Sequence, residues 1–259
     1  MTALTAVGSL WRRELVRFFR QPSRVAGAAG SPLLFWLFIG SGLSGSFRLP
    51  GAEGLGYLEY FFPGTVTLVV LFAAIFSTIS IIEDRREGFL QGVLAAPVPR
   101  TAIVAGKVLG GATLAWLQGA AFLLLAPFAG LRLDVPALLE AAGVLLLLAL
   151  ALTAIGFAFA WSVDSVQGFH AVMNLILVPM WLLSGAVFPL TGAPAWLAAL
   201  MRIDPLTYGV AALRWTFYGP AAELGEGIPG PVAALAILTA LGLVAFAADL
   251  WVMRRGRLE

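Results

Sequence analysis

The chain has 259 residues, of which 60% are hydrophobic and 12% are charged, and its mean hydropathy is +0.94. A composition this apolar argues against an ordinary soluble domain, and the absence of cysteine excludes a disulfide framework and a thiolate metal site. The formal charge of +2 is small, and membrane orientation explains the grouping of the bases better than nucleic-acid binding does.

Residues 1–24 predict an amphipathic helix that lies in the cytoplasmic interface of a membrane. At 100° per residue an apolar face opposes a basic face, and Pro22 ends the helix near Gln21. Some twenty residues of mixed character precede the first apolar stretch, which argues against a signal peptide. Two interpretations stay open, a simple membrane anchor and a helix that also docks a partner. The two faces consist of Leu4, Val7, Trp11, Leu15 and Phe18 against Arg13, Arg17 and Arg20.

Residues 25–259 contain about six apolar stretches of membrane-spanning length, because a helix needs roughly 20 residues to cross about 30 Å of hydrocarbon. A charge at mid-bilayer costs about 2.5–3.5 kcal/mol, so such stretches are rare in soluble cores. A barrel would instead show alternating segments of about ten residues. The fold class is therefore an all-α membrane protein with an N-terminal interfacial helix. The predicted spans are 25–43, 61–82, 108–131, 137–163, 169–190 and 232–253.

The distribution of Lys and Arg predicts that both termini are cytoplasmic, because cytoplasmic segments carry the excess of bases. On the predicted outer side lie Arg48, Arg132, Arg202 and Arg214. On the predicted cytoplasmic side lie Arg12, Arg13, Arg17, Arg20, Arg24, Arg85, Arg86, Arg100, Lys107, Arg254, Arg255 and Arg257.

The predicted cytoplasmic loop, residues 83–107, begins with five consecutive charges and continues as a short apolar helix. An exposed apolar knob of this kind predicts a partner surface. Alternatively, the charges only mark the membrane boundary and pair among themselves. The charged residues are Glu83, Asp84, Arg85, Arg86 and Glu87; after Gly88 the apolar ones are Phe89, Leu90, Val93 and Leu94, and Pro97 follows. The short loop around Asp164 is a weaker second contact or only a tight hairpin.

The fifth predicted span contains Asn174 and Pro179, with a second interruption at Ser184 and Gly185 and then Pro189. A proline removes a backbone hydrogen bond, so a kink is expected. This kink is either a gate on a transport pathway or a packing feature. In the outer region, residues 190–231, the apolar stretch 193–200 is too short to span and predicts a re-entrant or surface helix before a loop rich in Pro and Gly.

These features, in this order, resemble the type 2 ABC exporter permeases. Two residues depart from the pattern of many relatives, Gln91 in place of Glu and Phe89 in place of Thr. The resemblance rests on the run from Glu83 through Gly88 to Pro97-Val98, on Gly106-Lys107, and on Asn174, Pro179, Ser184-Gly185, Phe188-Pro189, Pro194, Trp196-Leu197, Pro205-Leu206-Thr207-Tyr208 and Arg214.

The resemblance implies a permease subunit that pairs with a second permease copy and with two cytoplasmic ATPase subunits in a bacterial inner membrane. Residues 83–97 would contact the ATPase, with Asp164 as a second contact. The chain would hold no cofactor and no catalytic residue, since ATP and Mg²⁺ would bind the partner. Consistent with this, no G-x-x-x-x-G-K-[ST] motif occurs, and Val108 follows Gly106-Lys107.

The apolar span walls favour an amphiphilic small molecule or drug as the exported substrate. A polysaccharide or lipid-linked glycan is the near alternative. An ion-coupled carrier would need buried carboxylates or histidines, and the acids closest to the hydrocarbon, Glu140 and Asp249, are near span ends. A membrane-embedded enzyme would have one histidine, His170, and no cysteine to work with.

Overall fold

The computed structural model describes residues 2–43, 56–190, 193–219 and 230–255, and every regular element within these ranges is helical. The predicted outer loop at 220–229, Arg48 and Arg257 lie outside the described residues. The helices are α1 Ala3–Phe19, α2 Pro22–Leu43, α3 Tyr57–Ser77, α4 Ile79–Arg86, α5 Phe89–Ala95, α6 Arg100–Leu123, α7 Val135–Ser162, α8 Val166–Trp181, α9 Ala195–Ile203, α10 Pro205–Tyr218 and α11 Pro231–Arg255. A 3₁₀ turn, Ala126–Ala129, follows α6, and a π-helical turn, Leu182–Ala186, follows α8.

Within the described ranges, four helical segments are long and apolar enough to cross a membrane: Tyr57–Arg86, Val135–Ser162, Val166–Ala186 and Pro231–Arg255. They coincide with four of the six predicted spans, so the prediction of an all-helical membrane protein is confirmed at this level. Among the described residues of α2, the stretch Pro32–Gly42 forms a shorter apolar helix. Helix α6 starts at Arg100 rather than near residue 108 and ends at Leu123, so the predicted boundaries of the third span are wrong. Pro99 directly precedes the helix in an extended conformation, where its missing N–H removes no helical hydrogen bond.

Helix α3 lies at the centre of the bundle and packs against α2, α6 and α7. Its aromatic residues Phe61 and Phe62 are fully buried, as is Val66. Helix α7 packs along α11 and α6, and α11 lies at the edge of the bundle with Leu243 and Val244 exposed. Exposed apolar side chains on membrane-length helices are expected, because lipid replaces water around them.

Helix α1 packs along α6 through small residues. A Cβ atom on Gly106 would lie 2.7 Å from the Cβ of Leu10, and one on Gly110 would lie 2.7 Å from the Cβ of Glu14. Two glycines four residues apart on one helix allow two backbones to approach closely. Part of the predicted apolar face of α1 shares this contact, because the indole N–H of Trp11 donates to the hydroxyl of Thr113 in α6 at 3.0 Å, whereas Leu4 is exposed. Helix α1 therefore docks on its own chain along α6.

The described part of the predicted outer region, residues 190–231, is more helical than the sequence predicts. The expected short helix is α9, Ala195–Ile203, and a second helix, α10, follows directly after Asp204. The Asp204 side chain caps α10 by accepting a hydrogen bond from the backbone N–H of Leu206. Helix α10 packs against α3, α7, α11 and the π-helical turn, so it belongs to the bundle and not to a loop.

Candidate functional site

Asp84 is the centre of a buried group of charges at one end of the bundle. Arg13 donates to both Asp84 carboxylate oxygens, at 2.7 and 2.6 Å, and Arg17 donates to Oδ1 at 2.9 Å. Lys107 Nζ contacts Asp84 Oδ2 and donates to Glu14 Oε1 at 2.6 Å. The side chains of Asp84, Lys107 and Glu14 are 0%, 2% and 6% exposed. Together with Glu83, these residues are called the charged cluster below.

The charged cluster joins three elements. Arg13, Glu14 and Arg17 belong to α1, Glu83 and Asp84 to α4, and Lys107 to α6. Its three cations face three carboxylates, so the buried charges compensate one another. Breaking a buried pair by removing one partner is costly, because it leaves an uncompensated charge away from water. The cluster therefore fixes α1 to the inner part of the bundle.

Arg17 extends these contacts toward α5. Its Nη2 atom donates to Glu83 Oε2 at 2.8 Å and lies 3.6 Å from Glu87 Oε1. The guanidinium of Arg13 stacks over the ring of Phe89, 3.7 Å from the ring centroid. The interpretation that residues 83–87 pair among themselves is thus wrong for Glu83 and Asp84, whose cationic partners lie on α1 and α6.

Arg85 connects the same end of the bundle to the hairpin between α7 and α8. It donates to the backbone carbonyls of Trp161, at 2.7 Å, and Val163, and it lies 3.2 Å from the carboxylate of Asp164. The Asp164 side chain is 97% exposed. Ser165 caps α8 by accepting from the N–H of Gly168 at 2.9 Å, which makes the hairpin tight. The two predicted coupling segments are therefore adjacent.

The prediction that the apolar residues of α5 form an exposed knob is wrong. Gly88 adopts a φ of 77°, which turns the chain between α4 and α5 and directs α5 back onto the bundle. As a result Leu90 is 1% exposed, and Phe89, Val93 and Leu94 are partly buried against the core. What α4, α5 and the following turn present to the surroundings is a surface of three polar side chains and four small or apolar residues, called the exposed tip below. It comprises Arg86, Glu87, Gln91, Gly92, Ala95, Ala96 and Pro97.

The predicted gate residues fall into two groups. Asn174 and Pro179 lie on the exposed side of α8, and the α-helix continues past Pro179 to Trp181. The interruption comes at the π-helical turn, where Gly185 has a φ of 80°. Ser184 and Gly185 are buried there, and Pro189 is partly buried. The expected break in the fifth span is present, but the glycine and not the proline makes it.

A cavity of about 700 Å³ lies between α2, α3, α6 and α8. None of the five predicted gate residues is among the described residues that line it. The Oε1 atom of Gln118 is buried without a hydrogen-bond partner among the described groups, and the His170 ring lies 4.7 Å from that of Phe76. The walls are mostly apolar and rich in aromatic rings, including Phe35, Phe72, Phe76 and Trp181.

A bundle of membrane-length helices, with a buried charged cluster and an exposed tip at one end and an apolar cavity between its helices, has the features of a helical membrane transport protein. The chain belongs to the ABC-2 type transporter family, whose model matches residues 5–218. This match covers α1, the charged cluster, the cavity and α10.

Three relatives are similar to this chain over most of their length; two are named as transport permeases and one as a nodulation protein. The chain is 27% identical over 212 residues to "Putative transport permease ycf38" of Cyanophora paradoxa, with 80% of this chain and 72% of the relative covered. It is 26% identical over 222 residues to "Inner membrane transport permease YadH" of Escherichia coli K12, covering 83% of each. It is also 27% identical over 221 residues to "Nodulation protein J" of Rhizobium meliloti 1021, covering 84% and 83%.

The sequence identified Glu83 and Asp84 of the charged cluster but missed Glu14 and the three cations. Arg13 and Arg17 were assigned to the polar face of a surface helix, and Lys107 was used for membrane orientation and for the family resemblance but not as a partner of Asp84. One signal was available, because Lys107 is the single lysine of the chain and begins a long apolar stretch. A lysine in that position needs a carboxylate partner.

Proposed function

We propose that the chain is the permease subunit of an ATP-driven exporter in a bacterial inner membrane. It forms six spans with both termini in the cytoplasm and assembles as two permease copies with two separate ATPase subunits, which hold ATP and Mg²⁺. The exported substrate is an amphiphilic small molecule or drug. Family membership supports the transport role, and the name of the Escherichia coli relative supports the inner membrane.

The observation that carries the coupling role is the charged cluster beneath the exposed tip. Force applied at Glu87 or Arg86 reaches α1 through Arg17 and the α7–α8 hairpin through Arg85. Because the ionic contacts within the charged cluster are short and mostly buried, α4, which carries the first residues of the tip, should move together with α1 and α6. An ATPase that binds the tip would therefore act on α1, α4 and α6 together.

The aromatic cavity supports an amphiphile as the substrate. Its lining offers a large apolar area and few polar groups, among them Gln118, His170 and Ser77. Pockets of several hundred Å³ with this composition suit drug-sized apolar molecules. A glycan would require more hydrogen-bonding groups than these walls provide, so the alternative of a polysaccharide or lipid-linked glycan exporter is less favoured by the described residues.

Variants of the exposed tip test the coupling role. In the complex with its ATPase, Glu87→Ala combined with Gln91→Ala should lower substrate-stimulated ATP hydrolysis several-fold while membrane insertion and the amount of permease stay unchanged. Glu87 and Gln91 are exposed, so the variant leaves the core intact. Ser162→Ala, an exposed position at the end of α7, is the matched control. Equal stimulation of the ATPase by the tip variant and the control would contradict the proposal.

A further inference from the structure

The carbonyl of Gly185 receives two hydrogen bonds from outside its own helix. Arg214 of α10 donates through Nη2 at 2.7 Å, and the hydroxyl of Tyr60 in α3 donates at 3.0 Å. The guanidinium of Arg214 also lies over the Tyr60 ring, 4.1 Å from its centroid. A helix that breaks inside a membrane leaves carbonyls without partners, and these must be satisfied by other groups of the protein. Three separate elements thus meet at one backbone oxygen.

The bend at Gly185 is seated directly on α3. A Cβ atom on Gly64 would lie 2.4 Å from the Cβ of Ala186, so only glycine fits at that contact. The indole N–H of Trp181 donates to the carbonyl of Gly64 at 2.7 Å. Gly185 itself has a φ of 80°, a conformation that other residues rarely adopt. The bend is therefore held in one defined arrangement against α3.

Capping the carbonyl of a broken helix does not require a charged side chain such as that of Arg214. Arg214 is 9% exposed, and its Nε atom has no hydrogen-bond partner among the described residues. The positive charge is offset by the Tyr60 ring and by the negative end of α8, but it forms no ion pair with a described carboxylate. A neutral donor could satisfy one carbonyl without the cost of burying a charge. A strong hydrogen bond from a side chain whose charge is incompletely compensated suits a contact that must also break.

We propose that Arg214 and Tyr60 form a latch on Gly185 that holds the outer end of the fifth span closed and opens to release substrate. The inference rests on the transport role proposed above. Opening separates Arg214 and Tyr60 from the Gly185 carbonyl and exposes the segment around Ser184, which is 2% exposed when the latch is closed. Packed interfaces of this kind switch between discrete arrangements and do not deform gradually.

The absence of cysteine makes the latch directly testable, since a single introduced thiol can be followed by labelling. Ser184→Cys is placed in the otherwise native chain, and the purified complex in detergent is treated with a bulky water-soluble maleimide. Labelling should be slow with the latch intact and about tenfold or more faster with Arg214→Leu, because a buried hydrogen bond to a charged group is lost. Tyr60→Phe, which keeps the ring, should give an intermediate rate, and Arg214→Lys should restore most of the protection.

Thr65→Cys provides the control for general loosening, because Thr65 is fully buried in α3 near the same level. Its labelling should stay slow in every background. The latch is overturned if Ser184→Cys labels at the native rate in Arg214→Leu, or if Thr65→Cys is accelerated as much as Ser184→Cys. The labelling rates do not depend on ATP hydrolysis. A chain that does not stimulate an ATPase would therefore contradict the proposed function but would leave the test of the latch unaffected.

Discussion

Replacing Lys107 with methionine tests whether the charged cluster anchors α1. Lys107 donates to Glu14 at 2.6 Å and contacts Asp84, and its side chain is 2% exposed. After the change Asp84 keeps both arginines of α1, but Glu14 keeps only Arg13, at 3.5 Å. Removing one partner of a buried ion pair costs about 3–5 kcal/mol. Undocking of α1 relieves the stranded Glu14 carboxylate but also takes Arg13 and Arg17 away from Asp84. The undocked fraction should therefore rise by about tenfold or more, which is less than the roughly 10²–10⁴-fold that the whole cost would give.

Hydrogen–deuterium exchange of the α1 backbone in the purified protein measures that fraction. Exchange in α1 should be far faster in Lys107→Met than in the native chain, and unchanged in Arg12→Met, since Arg12 is exposed on the same helix. The double variant Lys107→Met with Glu14→Gln should recover much of the protection, because no buried charge is left unpaired. Exchange in Lys107→Met that matches the Arg12 control, or a double variant no better than the single one, would refute the reasoning.

Two further changes probe packing and protonation. Gly110→Ala places a Cβ 2.7 Å from that of Glu14 and should lower the melting temperature. Gly143→Ala, where the added Cβ meets open space, should leave the melting temperature unchanged. Equal melting temperatures for the two variants would contradict the close contact of α1 and α6. Burial raises the pKa of Asp204 to about 7, despite the hydrogen bond from Leu206. The folded protein then holds this proton up to a higher pH than the unfolded chain does, so the melting temperature should rise as the pH falls from about 8 to about 5. Asp204→Asn should weaken that dependence, and an unchanged slope would speak against it.

Composition and hydrophobic runs predicted much of the fold, because membrane-length helices follow from transfer free energies that a single sequence reveals. The start of α6 was missed, since its first turns carry Arg100 and Lys107 and read as a loop. Helix α10 was missed for a related reason. Its residues between Asp204 and Tyr218 include Arg214, and only the tertiary contact with Gly185 and Tyr60 makes room for that charge.

The site was predicted in part for a different physical reason. Five consecutive charges after an apolar run are visible in any sequence, but their partners lie about 70 residues earlier on α1 and about 20 later on α6. Helical periodicity placed Arg13 and Arg17 on a common face and could not tell whether water or Asp84 would meet it. The direction of α5 depended on Gly88, whose positive φ turned Leu90 inward.

The central claim is that this chain is a permease driven by a separate ATPase through its exposed tip. The most direct measurement is ATP hydrolysis by the purified chain alone, by the co-expressed ATPase alone and by the two together in lipid, with and without an amphiphilic compound. We expect no hydrolysis by the chain alone and a turnover of the complex that rises with the compound. Hydrolysis by the chain alone, or an ATPase whose turnover is the same with and without the chain, would contradict it.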